Sequence, residues 1–274
     1  MTIPNILCNY DVVRAVAEAK RPGIVLDFDG TISEIAPSPE LAVIHPRIAK
    51  ALEVAVRGYS LVAVLSGRAA RDVAARVAVR GITYVGNHGA ESIVNGHLKV
   101  LSASAPAGIG QALEYIRRTV EIPGIVYEDK RFSASIHYRQ VEDVKTAERQ
   151  LRRAITRAPG SDMLDTFWGR RVLEIRPATA ITKGDAIAYL VAQRSLDALI
   201  FVGDDTTDID GMRRLPALDG VHAVGVAVVS QETPELLIEA ANYEVSGVDE
   251  VADLLDLLME LRKLPAQPGD PRSD

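Results

Sequence analysis

Two carboxylates, Asp27 and Asp29, follow directly on the apolar run Gly23–Leu26 and precede Gly30. If that run is a strand of a parallel sheet, both acids leave its carboxyl end, where open α/β sheets gather their ligands. Gly30 permits the tight bend that turns them toward one small volume. Two neighbouring anions need a cation, and hard oxygen ligands suit Mg2+. The other reading is an Asp-Gly turn with both acids in water. A second group, Leu65-Ser66-Gly67-Arg68, again lies between an apolar run and a helical stretch. Such a junction offers a hydroxyl and free backbone N–H groups to a phosphate, although Ser before a helix is first of all an N-cap. The third, Lys183-Gly184-Asp185, opens a helix behind Thr182, a natural N-cap. A lysine in the first turn opposes the helix dipole unless an anion is held nearby; a solvent-facing lysine is the alternative. The fourth, Gly203-Asp204-Asp205-Thr206-Thr207-Asp208, packs three carboxylates into five positions. That charge density is costly at a strand end unless a metal neutralises it, the alternative being a solvated acidic loop. All four fall at element boundaries, so one shared phosphate and metal site accounts for them better than four unrelated loops.

The elements that must position them follow a repeating pattern of short β-branched run, turn and helix, which marks a parallel sheet with crossover helices. Ile24–Phe28, Ser60–Leu65, Ile82–Val85, Leu199–Val202 and Val221–Val229 read as buried strands. Helical spacing covers Pro46–Arg57, Ala69–Val79, Lys183–Arg194, Thr207–Leu215 and Val248–Leu264. The fold class is therefore α/β, with a doubly wound parallel-sheet core. Between about Ala103 and Ile175 the pattern changes to helix (Gly108–Val120), strands Ile125–Asp129 and Phe132–Arg139, helix (Val141–Arg157), and strands Met163–Trp168 and Arg171–Ile175 turning at Gly169-Arg170. A helix-strand-strand unit used twice predicts an inserted α+β cap domain. The expected boundaries are 1–103 and 176–264 for a discontinuous core, 104–175 for the cap, and 265–274 for a Pro- and Gly-rich disordered tail.

The bulk composition narrows the partners. The 274 residues are 47% hydrophobic and 25% charged, an ordinary globular balance, with a net charge of −6 that disfavours nucleic acid. Cys8 is the single cysteine, so no internal disulfide forms, and a buried or idle thiol in a reducing compartment is expected. Residues 1–20 lack the apolar run of a signal peptide, and no stretch is long enough to span a bilayer, which predicts a cytoplasmic protein without a membrane partner. The oligomeric state stays open, with a monomer favoured.

An Asp-x-Asp-Gly-Thr, then Ser, Lys and Gly-Asp-Asp-x-x-Asp is the motif order of the haloacid-dehalogenase superfamily of phosphotransferases. Within it the chain resembles trehalose-6-phosphate phosphatases along nearly all its length, in the blocks DFDGTISEI, VLSGR, VGNHGAE, YEDKRFSASIHYR, VLEIRPATAITKGDAI and GDDTTDID. The resemblance implies a Mg2+-dependent hydrolysis of trehalose 6-phosphate, with Asp27 as nucleophile and Asp29 as acid, then base. It implies Mg2+ on the Asp27 side chain, the Asp29 backbone carbonyl and Asp204, with Asp205 and Asp208 as outer or water-mediated ligands. Gly30, Thr31, Ser66, Gly67 and Lys183 would bind phosphate. Arg68, His88, Glu128, Lys130 and Glu174 would bind the sugar phosphate. Ile209 departs from the pattern, where a further acidic residue is expected. The competing readings are a phosphatase for another sugar phosphate (sucrose, glucosylglycerate or mannosyl), a phospho-acceptor signalling receiver, and an idle sugar-phosphate sensor. The insert and the second acid, Asp29, argue against the last two.

Overall fold

The computed structural model describes residues 3–100, 108–130, 132–169, 171–178 and 181–262, so the expected tail lies outside the described residues. An eight-stranded sheet has the order β12-β11-β10-β1-β2-β3-β4-β5. These strands are β1 (Pro22–Leu26), β2 (Leu61–Leu65), β3 (Thr83–Gly86), β4 (Glu91–Val94), β5 (His97–Val100), β10 (Ala198–Gly203), β11 (His222–Val229) and β12 (Tyr243–Ser246). From β12 through β3 every neighbour is parallel, and β4 and β5 add an antiparallel edge. Alternate residues of the central strands feed different cores: Ile24, Leu26, Val62, Val64, Ile200 and Val202 face one, and Val25, Ala63, Leu65, Leu199 and Phe201 the other. Burial on both faces is why these strands read as unbroken apolar runs.

The first core packs under α1 (Tyr10–Ala17), α2 (Pro46–Gly58), α3 (Ala70–Val77) and α9 (Gly247–Arg262). The second lies under α6 (Lys183–Arg194), α7 (Asp208–Arg214) and α8 (Glu235–Ala240). The chain runs from β1 to β2 on one side and returns through β10 on the other. The carboxyl end of β1 is therefore a topological switch point, where such sheets open a crevice.

A second sheet of four strands, order β6-β7-β9-β8, is antiparallel throughout: β6 (Val126–Asp129), β7 (Ala134–His137), β8 (Leu164–Gly169) and β9 (Val172–Pro177). The helices α4 (Ile109–Thr119) and α5 (Val144–Ile155) cover one face, closing a separate core around Leu113, Ile116, Leu151, Ile136, Leu173 and Ile175. The other face carries Glu128, Ser135 and Glu174 in one row across three paired strands. The turn expected at Gly169-Arg170 includes Arg170, outside the described residues.

Candidate active site

Asp27 is the first residue after β1, and its N–H donates to Val202 O of β10, so the main sheet itself fixes the start of the acidic loop. The loop turns at Gly30, φ +80°, and a Cβ there would sit 2.0 Å from Asp204 Oδ2. The missing side chain makes room for a carboxylate from the β10 loop. Asp27, Asp204 and Asp208 thereby converge, all buried, with one oxygen of each within 4.8 Å of the others. Among the described residues this is the acidic cluster fit to hold a metal. Lys183 Nζ donates to Asp27 Oδ1 and to Asp208 Oδ1, both at 2.6 Å. Lys183 is 2% exposed, not the solvent-facing residue that the sequence also allowed. Its position at the first residue of α6 is secured by a capping box between Thr182 and Asp185, and the two carboxylates supply the anion its helix position needs.

Burial pushes the Asp27 carboxyl above the usual carboxylate range; the Lys183 ammonium opposes that, and Asp208 adds to it. Burial works to discharge Lys183, but Asp208 and Asp27 more than reverse it and hold the ammonium charged. Three carboxylates against one ammonium leave an excess of buried negative charge, which an oxygen-coordinated divalent cation matches. The other Asp208 oxygen accepts from the backbone N–H groups of Asp204 and Asp205, so Asp208 also shapes the loop. Asp205 lines the cleft, and its Oδ1 accepts from Thr206 N.

Asp29 stands apart from the cluster. Both its oxygens accept from the Arg68 guanidinium, Oδ2 from Nε at 2.6 Å and Oδ1 from Nη2 at 2.7 Å. Arg68 follows Ser66 and Gly67 in the turn after β2, and its backbone N–H donates to Ser66 Oγ. Ser66 is not an N-cap: Ala69 holds that position on α3, without a side-chain cap bond. Ser66 and Gly67 instead line the cleft beside Asp27, Asp29 and Lys183. Of the other two residues expected at the phosphate, Thr31 donates from Oγ1 to Asp204 Oδ1 at 3.4 Å, and Gly30 packs against the same carboxylate.

The polar face of the small sheet closes the cleft from above. Lys130 Nζ donates to Glu174 Oε1 at 3.4 Å and, across the gap, to Gly67 O at 3.2 Å; Glu128 lies 3.8 Å away. Glu174 also accepts from Ser135 Oγ at 2.6 Å and faces His88 Nε2 at 3.7 Å. Burial alone would raise the Glu174 carboxyl, but Lys130, His88 and Ser135 hold it well below the usual range. His88, at φ +57°, is buried against Gly67, and burial lowers its basicity. Arg176, two residues on, reaches Asp210 and stacks on Phe167. Two basic residues of the cleft escaped the sequence reading, His137, which bonds Glu128 at 3.0 Å, and Arg139, which donates to Ala36 O at 3.2 Å. The period-two alternation of Ser133, Ser135, His137 and Arg139 was the available signal. Cys8 is free and exposed, and no helix among the described residues is long and apolar enough to cross a membrane.

The chain is similar to a trehalose-phosphate phosphatase of Mycobacterium tuberculosis, 32% identical over 259 residues, covering 90% of this chain and 64% of that protein. It is 35% identical over 239 residues to an uncharacterized glycosyl hydrolase of the same organism, covering 83% of this chain but 17% of the larger protein. The chain thus spans less than two thirds of the curated relatives it matches. In fold it resembles the C-terminal domain of Candida albicans trehalose-6-phosphate phosphatase, with a TM-score of 0.79, 20% identity, and coverage of 94% of this chain and 98% of that one. With the parallel-sheet core, that likeness gives a haloacid-dehalogenase-like fold. The family described as trehalose-phosphatase matches residues 25–245, spanning both sheets and every acidic loop of the cleft, and the chain belongs to that family.

Proposed function

We propose that this protein hydrolyses trehalose 6-phosphate to trehalose and phosphate through an aspartyl-phosphate on Asp27. The observation that carries this reading is the pair of 2.6 Å bonds from Lys183 to Asp27 and Asp208 at the floor of a two-walled cleft. That arrangement suits in-line attack on an anionic ester, because one ammonium and a run of polar groups can hold the phosphoryl oxygens while a carboxylate attacks. Asp27 attacks phosphorus as the P–O ester bond breaks. Asp29 gives a proton to the departing sugar oxygen, then takes one from the water that cleaves the acyl phosphate. Ser66, Gly67 and Lys183 hold the non-reacting oxygens. Asp27, the Asp29 backbone carbonyl and Asp204 would hold Mg2+, with Asp205 and Asp208 as outer support. When bound, Mg2+ screens the repulsion between an anionic nucleophile and an anionic ester. Residues 1–103 and 176–264 form the catalytic core in this reading, and 104–175 the cap that selects the sugar.

A panel of sugar phosphates assayed with and without magnesium tests the proposal. Trehalose 6-phosphate is expected to be the best substrate, with activity lost in EDTA and restored by Mg2+. Equal rates on monosaccharide and disaccharide phosphates would overturn the substrate, and full activity in chelator-treated protein would overturn the metal.

The core sees only a phosphate and one ester oxygen, so discrimination falls to the row Glu128, Ser135, Glu174 and to Lys130. Glu128→Ala and Lys130→Ala are expected to lower kcat/KM for trehalose 6-phosphate by about tenfold or more while sparing p-nitrophenyl phosphate, whose small ester makes no such contacts. Equal losses on both esters would assign these residues to the core instead.

A further inference from the structure

Asp29 must change partners during the proposed reaction. In the structure both its oxygens lie in the fork of Arg68, the pairing suited to a carboxylate that has already given up its proton. To serve the ester oxygen or the attacking water, Asp29 has to leave that fork. Arg68 cannot follow it into solvent, since its side chain is only 10% exposed and its guanidinium lies over the Phe28 ring at 5.4 Å. A buried guanidinium deprived of its carboxylate is costly, and the cost would be added to the step Asp29 performs.

A second carboxylate removes that cost. Arg68 Nη1 donates to Asp72 Oδ2 at 3.1 Å, in the first turn of α3, and Asp72 does not line the cleft. Asp72 is itself fixed, because Arg76 Nε donates to both its oxygens at 2.9 Å. Arg76 in turn is anchored by Nη1 to the carbonyls of Glu40 and Ala42, at 3.1 and 2.9 Å, in the segment following the Ile35–Pro39 rim of the cleft. Asp72 and Arg76, four apart on α3, share one helix face, and Arg68, two residues before the helix, joins that pair to Asp29.

We infer that Asp72, braced by Arg76, is a positioning residue that keeps Arg68 paired while Asp29 moves to the reacting oxygen. This rests on the reading of Asp29 as the acid. In phosphoenzyme formation the Asp27–phosphorus bond forms, the ester bond breaks, and the proton of Asp29 passes to the sugar oxygen. Asp29, now a carboxylate, returns to the Arg68 fork. Asp72 needs no contact with substrate to influence this cycle.

The test separates leaving groups that need a proton from those that do not. Single-turnover phosphoenzyme formation is measured in Mg2+-supplied wild type, Asp72→Asn, Asp72→Glu and Arg76→Gln, with trehalose 6-phosphate and p-nitrophenyl phosphate. Asp72→Asn is expected to slow formation from the sugar ester by about tenfold or more, and from the nitrophenyl ester by less than about twofold, because nitrophenolate departs without a proton. Arg76→Gln should act in the same direction with a smaller effect, and Asp72→Glu should recover most of the rate. A uniform loss on both esters, or no loss on either, would overturn the inference. A wild type that forms no phosphoenzyme from either ester would refute the reading of the site instead.

Discussion

Asp27→Asn is expected to lower turnover of trehalose 6-phosphate by about 10⁴-fold or more and to leave no phosphoenzyme, since an amide of the same shape is too weak a nucleophile. The loss should not be one of folding. A carboxyl whose folded pKa is raised stabilises the protein below its unfolded value of 3.8, and that contribution is lost as pH rises through the raised value. At pH 8 the ionised, buried Asp27 therefore costs stability, and the amide removes that cost while Lys183 keeps its bond to Asp208. The metal-free variant should melt at or above the wild-type temperature. Phosphate release, acid-quenched phosphoenzyme and thermal melts together check this. Retention of more than a few per cent of activity would rule out Asp27 as nucleophile.

The motifs were legible because chemistry and topology coincide in this fold. Strands buried on both faces leave unbroken apolar runs, and the residues just after them are the ones the sheet delivers to its crevice, hence Asp27, Ser66 and Asp204. Lys183 was legible through its misfit, a cation at the wrong end of a helix, which the structure explains with two carboxylates. Long-range pairings were not legible. Asp29 and Asp27 have the same spacing whether they share a metal or part company, and only the β1–β2 register, combined with side-chain direction, brings Arg68 to Asp29 across 39 positions. The β4–β5 hairpin was missed although Asn95-Gly96, both at positive φ, is a strong turn signal between alternating residues. The short elements α1, α8 and β12 owe their form to packing against the sheet, which local sequence barely encodes.

Lys183→Met is expected to combine a large loss of stability with a large loss of activity. The substitution keeps the length of the side chain and removes the ammonium that both Asp27 and Asp208 accept from, leaving two buried carboxylates without their shared counter-charge. Breaking such a pair from one side costs about 3–5 kcal/mol, which in a chain of this size corresponds to a fall in Tm of about 10 °C. The sign follows from Lys183 being held charged above its ordinary range: its contribution is whole below the unfolded value of 10.5 and is lost only as pH rises through the folded one, so a melt at pH 8 reads all of it. Activity should fall by about 10²–10³-fold with the loss of a cation from the phosphoryl oxygens. Mg2+ should raise the Tm of the variant by more than it raises that of the wild type, because the uncompensated carboxylates gain more from a cation. The double variant Lys183→Met with Asp27→Asn isolates the pairing. With one carboxylate neutralised, less charge is stranded, and the double variant should be more stable than the sum of the two single effects gives. Simple additivity in that cycle would show that packing of the lysine stem, and not the charge it places between Asp27 and Asp208, holds this corner of the fold together.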